Sequence, residues 1–344
     1  MPHSILITGG AGFIGSCFVP FFCQKYADHY RIICLDLLTY AGSISNIPAP
    51  GEQPNLLFEK GDICDTNLIP YIFSEYDIRG VINFAAETHV DNSIRAPARF
   101  FRINVTGTVN LLEAARSRWM DPTGQPKPGY ETARFHQIST DEVYGSLGKD
   151  GLFTESSPYA PSSPYSASKA AADMAVRAYH RTYGMNVTIS CCSNNFGPRQ
   201  HQEKFIPHVI KCALNEESIP VYGSGLNVRD WLYVTDHCTA VDLIFHRGTP
   251  GETYNIGCGN ERTNISMAQL ICRILDCEHP RKNGRSYADL ITHVTDRAGH
   301  DLRYALDSTK LTRELGWQSH TDFEQALRET VIWYIRKYTG ACKS

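Results

Sequence analysis

Short apolar runs recur through the first 192 residues, and polar or glycine-rich stretches separate them. Six of these runs have the length and aliphatic content of buried strands. They cover residues 4–7, 31–35, 56–59, 81–85, 135–138 and 187–191. Because helix-like stretches lie between them, the alternation predicts an α/β fold with a doubly wound parallel sheet.

Two of the intervening stretches carry clear helix signals. Residues 164–183 begin with Pro164 and are followed by Gly184, which is typical of a helix start and a helix end. Residues 105–117 place apolar side chains at helical spacing. In contrast, residues 121–130 contain three prolines and two glycines and predict a surface loop.

A glycine-rich turn follows the first predicted strand. Gly9, Gly12 and Gly15 form a G-x-x-G-x-x-G pattern before a helix that continues to about Tyr26. Such a turn presents backbone amides at a helix N-terminus, where a pyrophosphate can bind. Asp36 ends the second strand, so it can accept hydrogen bonds from an adenosine ribose and repel a 2′-phosphate. The pattern predicts a Rossmann-type fold that binds NAD in preference to NADP.

Beyond Cys192 the alternation becomes irregular, and short strands, helices and polar loops are interspersed. We therefore expect an NAD-binding domain at 1–192 and a smaller α/β domain, mainly for substrate binding, at 193–344. Part of 230–256 is expected to pack back on the first domain. Arginine binds phosphate in a bidentate way, so Arg229 and Arg297, with His300, are candidates for a substrate diphosphate.

Composition excludes several function classes. The formal charge is −3, from 33 basic and 36 acidic residues, so the sequence shows no nucleic-acid or membrane-surface footprint. No apolar run reaches membrane-spanning length, and the start lacks a signal-peptide layout. The twelve cysteines form no C-x-x-C pair, which favours reduced thiols in a cytoplasmic protein. Histidine spacing indicates no metal site.

The candidate chemistry lies in two nearby stretches. Tyr165 and Lys169 are four residues apart, so on a helix they share one face. A neighbouring ammonium favours the phenolate, which makes the tyrosine a usable base for a hydroxyl proton. Asp141 and Glu142 supply a second acid/base pair, as elimination of water requires. Both can face one site only if the strand ends near Thr140, because neighbouring strand residues point to opposite faces.

With these residues the chain resembles the dTDP-glucose 4,6-dehydratases, within the extended short-chain dehydrogenases/reductases, from residue 5 to about 334. STDEVYG at 139–145 is the specific motif. The wider motifs are TGGAGFIGS at 8–16, LTYAGS at 38–43, AAETHVD at 85–91, YSASKAAAD at 165–173, SNNFGP at 193–198, RDWLYVTDH at 229–237, YNIG at 254–257 and DRAGHD at 296–301. The chain departs from the usual pattern at Phe196, at residues 199–202 and at Ala298, all on the predicted substrate side.

The resemblance implies a homodimeric dehydratase that converts dTDP-glucose or UDP-glucose to the 4-keto-6-deoxy sugar by internal hydride transfer through NAD. Tyr165, with a pKa lowered by Lys169 and the nicotinamide cation, would take the 4-hydroxyl proton while Thr140 binds that oxygen. Glu142 would remove the C5 proton, and a protonated Asp141 would donate to the leaving hydroxyl. The cofactor contacts would be Gly9, Gly12, Phe13, Ile14, Gly15, Asp36, Asp62, Ile63, Ala85, Ala86, Tyr165 and Lys169. The substrate contacts would be Thr88, Asn194, Glu203, Lys204, Arg229, Asn260 and Arg297, to which the candidates for the diphosphate add His300.

Two other functions fit parts of the pattern. A 4-epimerase or decarboxylase of the same superfamily would share Tyr165 and Lys169, but it usually has small or uncharged residues in place of Asp141 and Glu142. A non-catalytic NAD-sensing protein on this fold would commonly lack the tyrosine and lysine. The sequence leaves thymine and uracil open as the base.

Overall fold

The computed structural model describes residues 3–49 and 51–340. Strands and helices alternate along most of the chain. The strands are β1 (His3–Thr8), β2 (Tyr30–Asp36), β3 (Leu56–Lys60), β4 (Ile78–Asn83), β5 (Arg134–Thr140), β6 (Val187–Cys192), β7 (Asn194–Phe196), β8 (Ile219–Tyr222), β9 (Val228–Tyr233), β10 (Thr253–Ile256), β11 (Glu261–Thr263) and β12 (Ile291–Val294).

The helices connect these strands and cover their faces. They are α1 (Phe13–Lys25), α2 (Leu68–Glu75), α3 (Val90–Arg95), α4 (Pro97–Phe100), α5 (Thr108–Trp119), α6 (Pro164–Tyr183), α7 (Phe205–Leu214), α8 (Val234–Arg247), α9 (Asn264–Glu278), α10 (Thr309–Leu315) and α11 (Phe323–Thr339). Within the described ranges, every helix is too short or too polar to span a lipid bilayer.

Seven strands form one parallel sheet in the order β3-β2-β1-β4-β5-β6-β10. The strand order reverses between β1 and β4, and the carboxyl ends of strands at such a switch point border the ligand crevice in open α/β sheets. The predicted doubly wound, Rossmann-type fold is confirmed. The predicted six strands are its first six, and β10 adds a seventh beside β6 through parallel pairing from Thr253 to Ile256.

The second half of the chain forms two small sheets, with β9 between β7 and β11 in one and β8 beside β12 in the other. Helices α7, α9 and α11 pack against one another beside these sheets. The apolar core of this region includes the buried side chains of Phe196, Trp231 and Tyr334. This layer covers one side of the crevice.

Two predicted elements have the wrong bounds. The fourth strand begins at Ile78 and ends at Asn83, because the next residues leave the ladder and the Ala85 amide donates to Thr8 Oγ1 (3.2 Å). The helix predicted from residue 105 begins at Thr108, and a π-helical stretch, Phe101–Gly107, precedes it. π-Helical turns of this kind are frequent at functional sites.

Candidate active site

A cleft with a cavity volume of about 310 Å³ lies at the carboxyl edge of the parallel sheet. All of the predicted catalytic and cofactor-binding residues line it. Four predicted substrate-binding residues also line it, namely Thr88, Asn194, Glu203 and Lys204. The topology therefore gathers residues from most of the chain into one site.

The other four predicted substrate-binding residues lie outside this lining. The Arg229 guanidinium is buried and donates to the carbonyl oxygen of Asp301 (3.0 Å). Arg297 Nη1 lies 3.9 Å from Oδ1 of Asp91 on α3. The backbone amide of Asn260 donates to Asp230 Oδ1 (2.8 Å). His300 Nδ1 lies 2.7 Å from Asp296 Oδ1.

The glycine turn leaves room for an anion at the start of α1. Gly9 has φ +70°, and a Cβ there would lie 2.6 Å from the backbone nitrogen of Ala85. A Cβ on Gly15 would lie 2.3 Å from the carbonyl oxygen of Gly9. The N-cap residue, Gly12, has no side chain to cap the helix, and the first turn holds no acidic residue. The first backbone amides of α1 therefore remain for a phosphate.

Asp36 has the geometry of a ribose-binding carboxylate. Its Oδ2 accepts from the Ala11 amide (2.9 Å) and its Oδ1 from the Leu38 amide (2.8 Å). These bonds fix the carboxylate, and each oxygen keeps a further lone pair for a hydroxyl group. At the end of β3, Asp62 Oδ1 likewise accepts from the Cys64 amide (2.8 Å). The donor and acceptor set therefore fits NAD.

Tyr165 and Lys169 lie on α6, whose start is fixed by a capping box between Ser163 and Ser166. Both side chains are buried, and Lys169 Nζ donates to the carbonyl oxygen of Ile138 (2.6 Å). Burial raises the pKa of Tyr165 well above its ordinary value. The protein's own groups therefore do not lower the Tyr165 pKa as expected, because loss of hydration and then the charge of Glu142 disfavour the phenolate.

Asp141 and Glu142 both line the cleft because β5 ends at Thr140, as the sequence analysis expected. The strand stops at Thr140, and a 3₁₀ turn, Asp141–Tyr144, follows at once. Thr140 Oγ1 accepts from the Glu142 amide (3.3 Å) and can donate to Asp141 Oδ1 (3.1 Å). The tight turn brings neighbouring side chains to the same site, which a continuing strand would separate.

The surroundings of Asp141 and Glu142 shift the pKa values of the two carboxyls to different extents. Burial, and then the charge of Glu142, raises the pKa of Asp141 well above its usual range. Asp141 Oδ2 is buried and has no hydrogen-bond partner within residues 3–49 and 51–340. Burial also raises the pKa of Glu142, but Lys204, Arg229 and Arg297 oppose that shift. The arrangement favours a protonated Asp141 beside an ionised Glu142.

Comparison with known proteins identifies the family. The family model for GDP-mannose 4,6 dehydratase matches residues 6–330. The dTDP-glucose 4,6-dehydratase of Xanthomonas campestris pv. campestris is 49% identical over 334 residues, which cover 97% of this chain and 93% of that protein. The chain belongs to the dTDP-glucose 4,6-dehydratase family.

Solved structures agree with membership of the dTDP-glucose 4,6-dehydratase family. The enzyme of that name from Streptomyces venezuelae, solved with NAD and TYD bound, has a TM-score of 0.87 and 41% identity, and 99% of each chain is covered. UDP-glucose 4-epimerase from Thermotoga maritima, solved with UDP-glucose, has a TM-score of 0.83 and 29% identity. The match covers 98% of this chain and 99% of that one. Fold alone therefore does not separate dehydratase from epimerase.

Sequence reasoning missed a polar contact between the two sides of the cleft. The Tyr40 hydroxyl donates to Glu203 Oε1 (3.1 Å), and His201 Nδ1 lies 3.5 Å from Glu203 Oε2. His89 Nε2 lies 3.7 Å from the same oxygen. His201 belongs to the stretch 199–202 that departs from the usual pattern of the dTDP-glucose 4,6-dehydratase family, and this departure was the signal available in the sequence.

Proposed function

We propose that the chain is an NAD-dependent 4,6-dehydratase that converts dTDP-glucose to the 4-keto-6-deoxy sugar nucleotide and water. The observation that carries this proposal is the Asp141–Glu142 pair, which lines the same cleft as Tyr165. Relatives 49% identical to the chain bear this enzyme name, and a solved relative has NAD bound. The cleft residues fit that cofactor.

The first part of the reaction falls to Tyr165 and Thr140. Tyr165 accepts the proton of the sugar 4-hydroxyl, and Thr140 hydrogen-bonds the same oxygen. Bound NAD would supply a reversible hydride acceptor for this chemistry, and its positive charge would favour the phenolate. Since burial raises the pKa of Tyr165, the protein's own groups hold the proton on the phenol until that charge is present.

The elimination falls to the two carboxyls. A ketone at C4 acidifies the neighbouring C5 proton, which Glu142 removes as the base, and a proton returns to C5 when the hydride is added at C6. Three nearby cations, Lys204, Arg229 and Arg297, favour the ionised form that this role needs. Asp141 donates its proton to the departing 6-hydroxyl, and its raised pKa favours the protonated form. Two carboxyls held in opposite protonation states are suited to loss of water near neutral pH.

The same pair distinguishes the dehydratase from its superfamily rivals. A 4-epimerase or decarboxylase needs the tyrosine and the lysine but has no step that requires Asp141 and Glu142. An NAD-sensing protein needs none of these four residues. Both alternatives leave the buried carboxyl of Asp141, which is costly to keep beside a second carboxyl, without a role.

One assay tests the proposal. Purified protein is incubated with NAD and either dTDP-glucose or UDP-glucose, and the products are analysed by mass spectrometry. We expect dTDP-glucose to lose the mass of one water without accumulation of NADH. A product of unchanged mass would favour the epimerase, and NADH formed in proportion to product would indicate an ordinary dehydrogenase.

We further propose a homodimer and retain the division into an NAD-binding domain, 1–192, and a mainly substrate-binding domain, 193–344. Support for the dimer comes from the π-helical stretch 101–107 and α6, which pack together. Phe101 on the first and Met174 on the second expose 41% and 50% of their surface. Support for a cytoplasmic location comes from the cysteines, since the eleven in the described residues are all free.

A further inference from the structure

Asp173 is a fully buried carboxylic acid that the proposed mechanism does not use. It lies on α6 one helical turn after Lys169 and two turns after Tyr165, so the three share one face. Its Oδ2 accepts from Ser139 Oγ (2.5 Å) and from the Tyr159 hydroxyl (3.1 Å). Its Oδ1 is buried and has no hydrogen-bond partner in the described part of the chain.

The charges of Asp173 and Lys169 support each other. Burial raises the pKa of Asp173 to about 6, and the ammonium of Lys169 is the largest effect in the opposite direction. Burial lowers the pKa of Lys169, and Asp173 is in turn the largest effect that raises it. No direct hydrogen bond joins the two groups in the described residues, so the attraction acts across a poorly screened interior.

Both residues also hold the end of β5 against α6. Lys169 Nζ donates to the carbonyl oxygen of Ile138, and Asp173 accepts from the hydroxyl of the next residue, Ser139. The residue after that is Thr140, where the strand ends and the turn into the cleft begins. Two consecutive strand residues are therefore fixed by two helix residues one turn apart.

We propose that Asp173 is a positioning residue of this site, whose buried carboxylate keeps Lys169 charged and keeps the end of β5 in place. It acts on the substrate only through Lys169 and Thr140. The inference rests on the proposed function, because it concerns the first step of that reaction. It assigns a role to the last residue of the YSASKAAAD stretch.

Titration of Asp173 should make the first step of the reaction depend on pH. Protonation of Asp173 below about pH 6 replaces the carboxylate by a neutral acid, which accepts the hydrogen bonds of Ser139 and Tyr159 less strongly and no longer stabilises the ammonium of Lys169. The rate of the first hydride transfer should therefore fall below that pH. The titratable groups that face Asp173 are Lys169, Arg177, Tyr159, Tyr144 and Cys191.

The test uses Asp173→Asn, which keeps the size of the side chain and removes its charge. NAD-loaded protein is mixed with dTDP-glucose, and the appearance of enzyme-bound NADH is followed as a function of pH. We expect a rate at least about tenfold lower at neutral pH, loss of the decline near pH 6, and little change in KM. A second measurement needs no turnover. NMR titration of ¹³C-labelled lysine, with Lys169 assigned through Lys169→Met, should show a lower lysine pKa in Asp173→Asn.

Tyr159→Phe is the matched variant, because it removes one hydrogen bond to Asp173 and leaves the charge. It should move the acidic decline to higher pH without abolishing it, and it carries the test if Asp173→Asn does not fold. An unchanged pH profile together with an unchanged Lys169 titration would overturn the inference. A wild-type protein that does not dehydrate dTDP-glucose would instead overturn the proposed function, and the lysine titration would still decide the role of Asp173.

Discussion

Lys204 Nζ donates a hydrogen bond of 2.8 Å to the carbonyl oxygen of Thr88, a residue 116 positions earlier in the chain. The bond joins the loop after β4 to the start of α7, one on each side of the cleft. It also holds a cation near Glu142, and the charge of Lys204 is the largest effect that opposes the raised pKa of that carboxyl.

The first prediction follows from this contact. Lys204→Met should raise the pKa of Glu142 further, so a larger fraction of this base is protonated at neutral pH. Exchange of the C5 hydrogen with solvent deuterium should slow by about tenfold or more. The acidic limb of its pH–rate profile should move to higher pH. Mass spectrometry of the product measures this exchange. Lys282→Met, at an exposed position after α9, is the matched control. An unaltered acidic limb of the pH–rate profile in Lys204→Met would contradict the prediction.

The second prediction separates elimination from oxidation. Asp141→Asn cannot deliver a proton and Glu142→Gln cannot accept one, so each should slow dehydration by roughly 10²–10⁴-fold. In single-turnover mixing both variants should form enzyme-bound NADH that persists, because oxidation at C4 needs neither group. Tyr165→Phe should form none. If both carboxyl variants dehydrated at the wild-type rate, the pair would have no catalytic role and an epimerase would become the better explanation.

The third prediction concerns the cofactor. Calorimetry should show much tighter binding of NAD than of NADP, because the fixed carboxylate of Asp36 repels a 2′-phosphate. Asp36→Asn should narrow the difference between the affinities for NAD and NADP, mainly by weakening the binding of NAD. The reason is that the amide NH₂ group would face one of the two backbone N–H donors. Asp28→Asn, at an exposed position before β2, should leave the preference intact. Equal affinity of the wild type for both cofactors would remove Asp36 from the ribose site.

The fourth prediction concerns assembly. Met174 on α6 exposes 50% of its surface, and a carboxylate there should oppose pairing of this helix with a second copy. Sedimentation at micromolar concentration should show a dimer for the wild type and a monomer for Met174→Glu. Tyr71→Glu, at a site on α2 that is 56% exposed, should remain dimeric. A monomeric wild type would refute the proposed dimer.

Much of the fold and of the candidate site could be predicted because local signals coincide with ligand contacts. The glycines of the first turn, Asp36 at a strand end and the run from Thr140 to Glu142 all follow directly from strands of the sheet. In a parallel sheet such positions meet at one edge, so sequence order alone brings them together. Helix α6 was predicted with its observed bounds because Pro164 and Gly184 mark its ends.

Other features depend on partners that are distant in sequence. The buried guanidinium of Arg229 is held by a carbonyl oxygen 72 residues later, which no local pattern indicates. The π-helical stretch contains Asn104, whose amide contacts Glu87 and, 64 residues later, Ser168. The raised pKa of Tyr165 likewise depends on burial by the whole fold. Tertiary contacts decide all three.

The pairing of β10 with β6 affects how the protein is made. Every residue of β6 is buried, so this strand would become an apolar sheet edge without its neighbour. Open apolar edges pair readily with other chains and promote aggregation. The neighbour is encoded some 60 residues downstream, so a nascent chain emerging from the ribosome carries this open edge until residues 253–256 are synthesised. A fragment that ends at residue 192 should therefore be difficult to produce without aggregation.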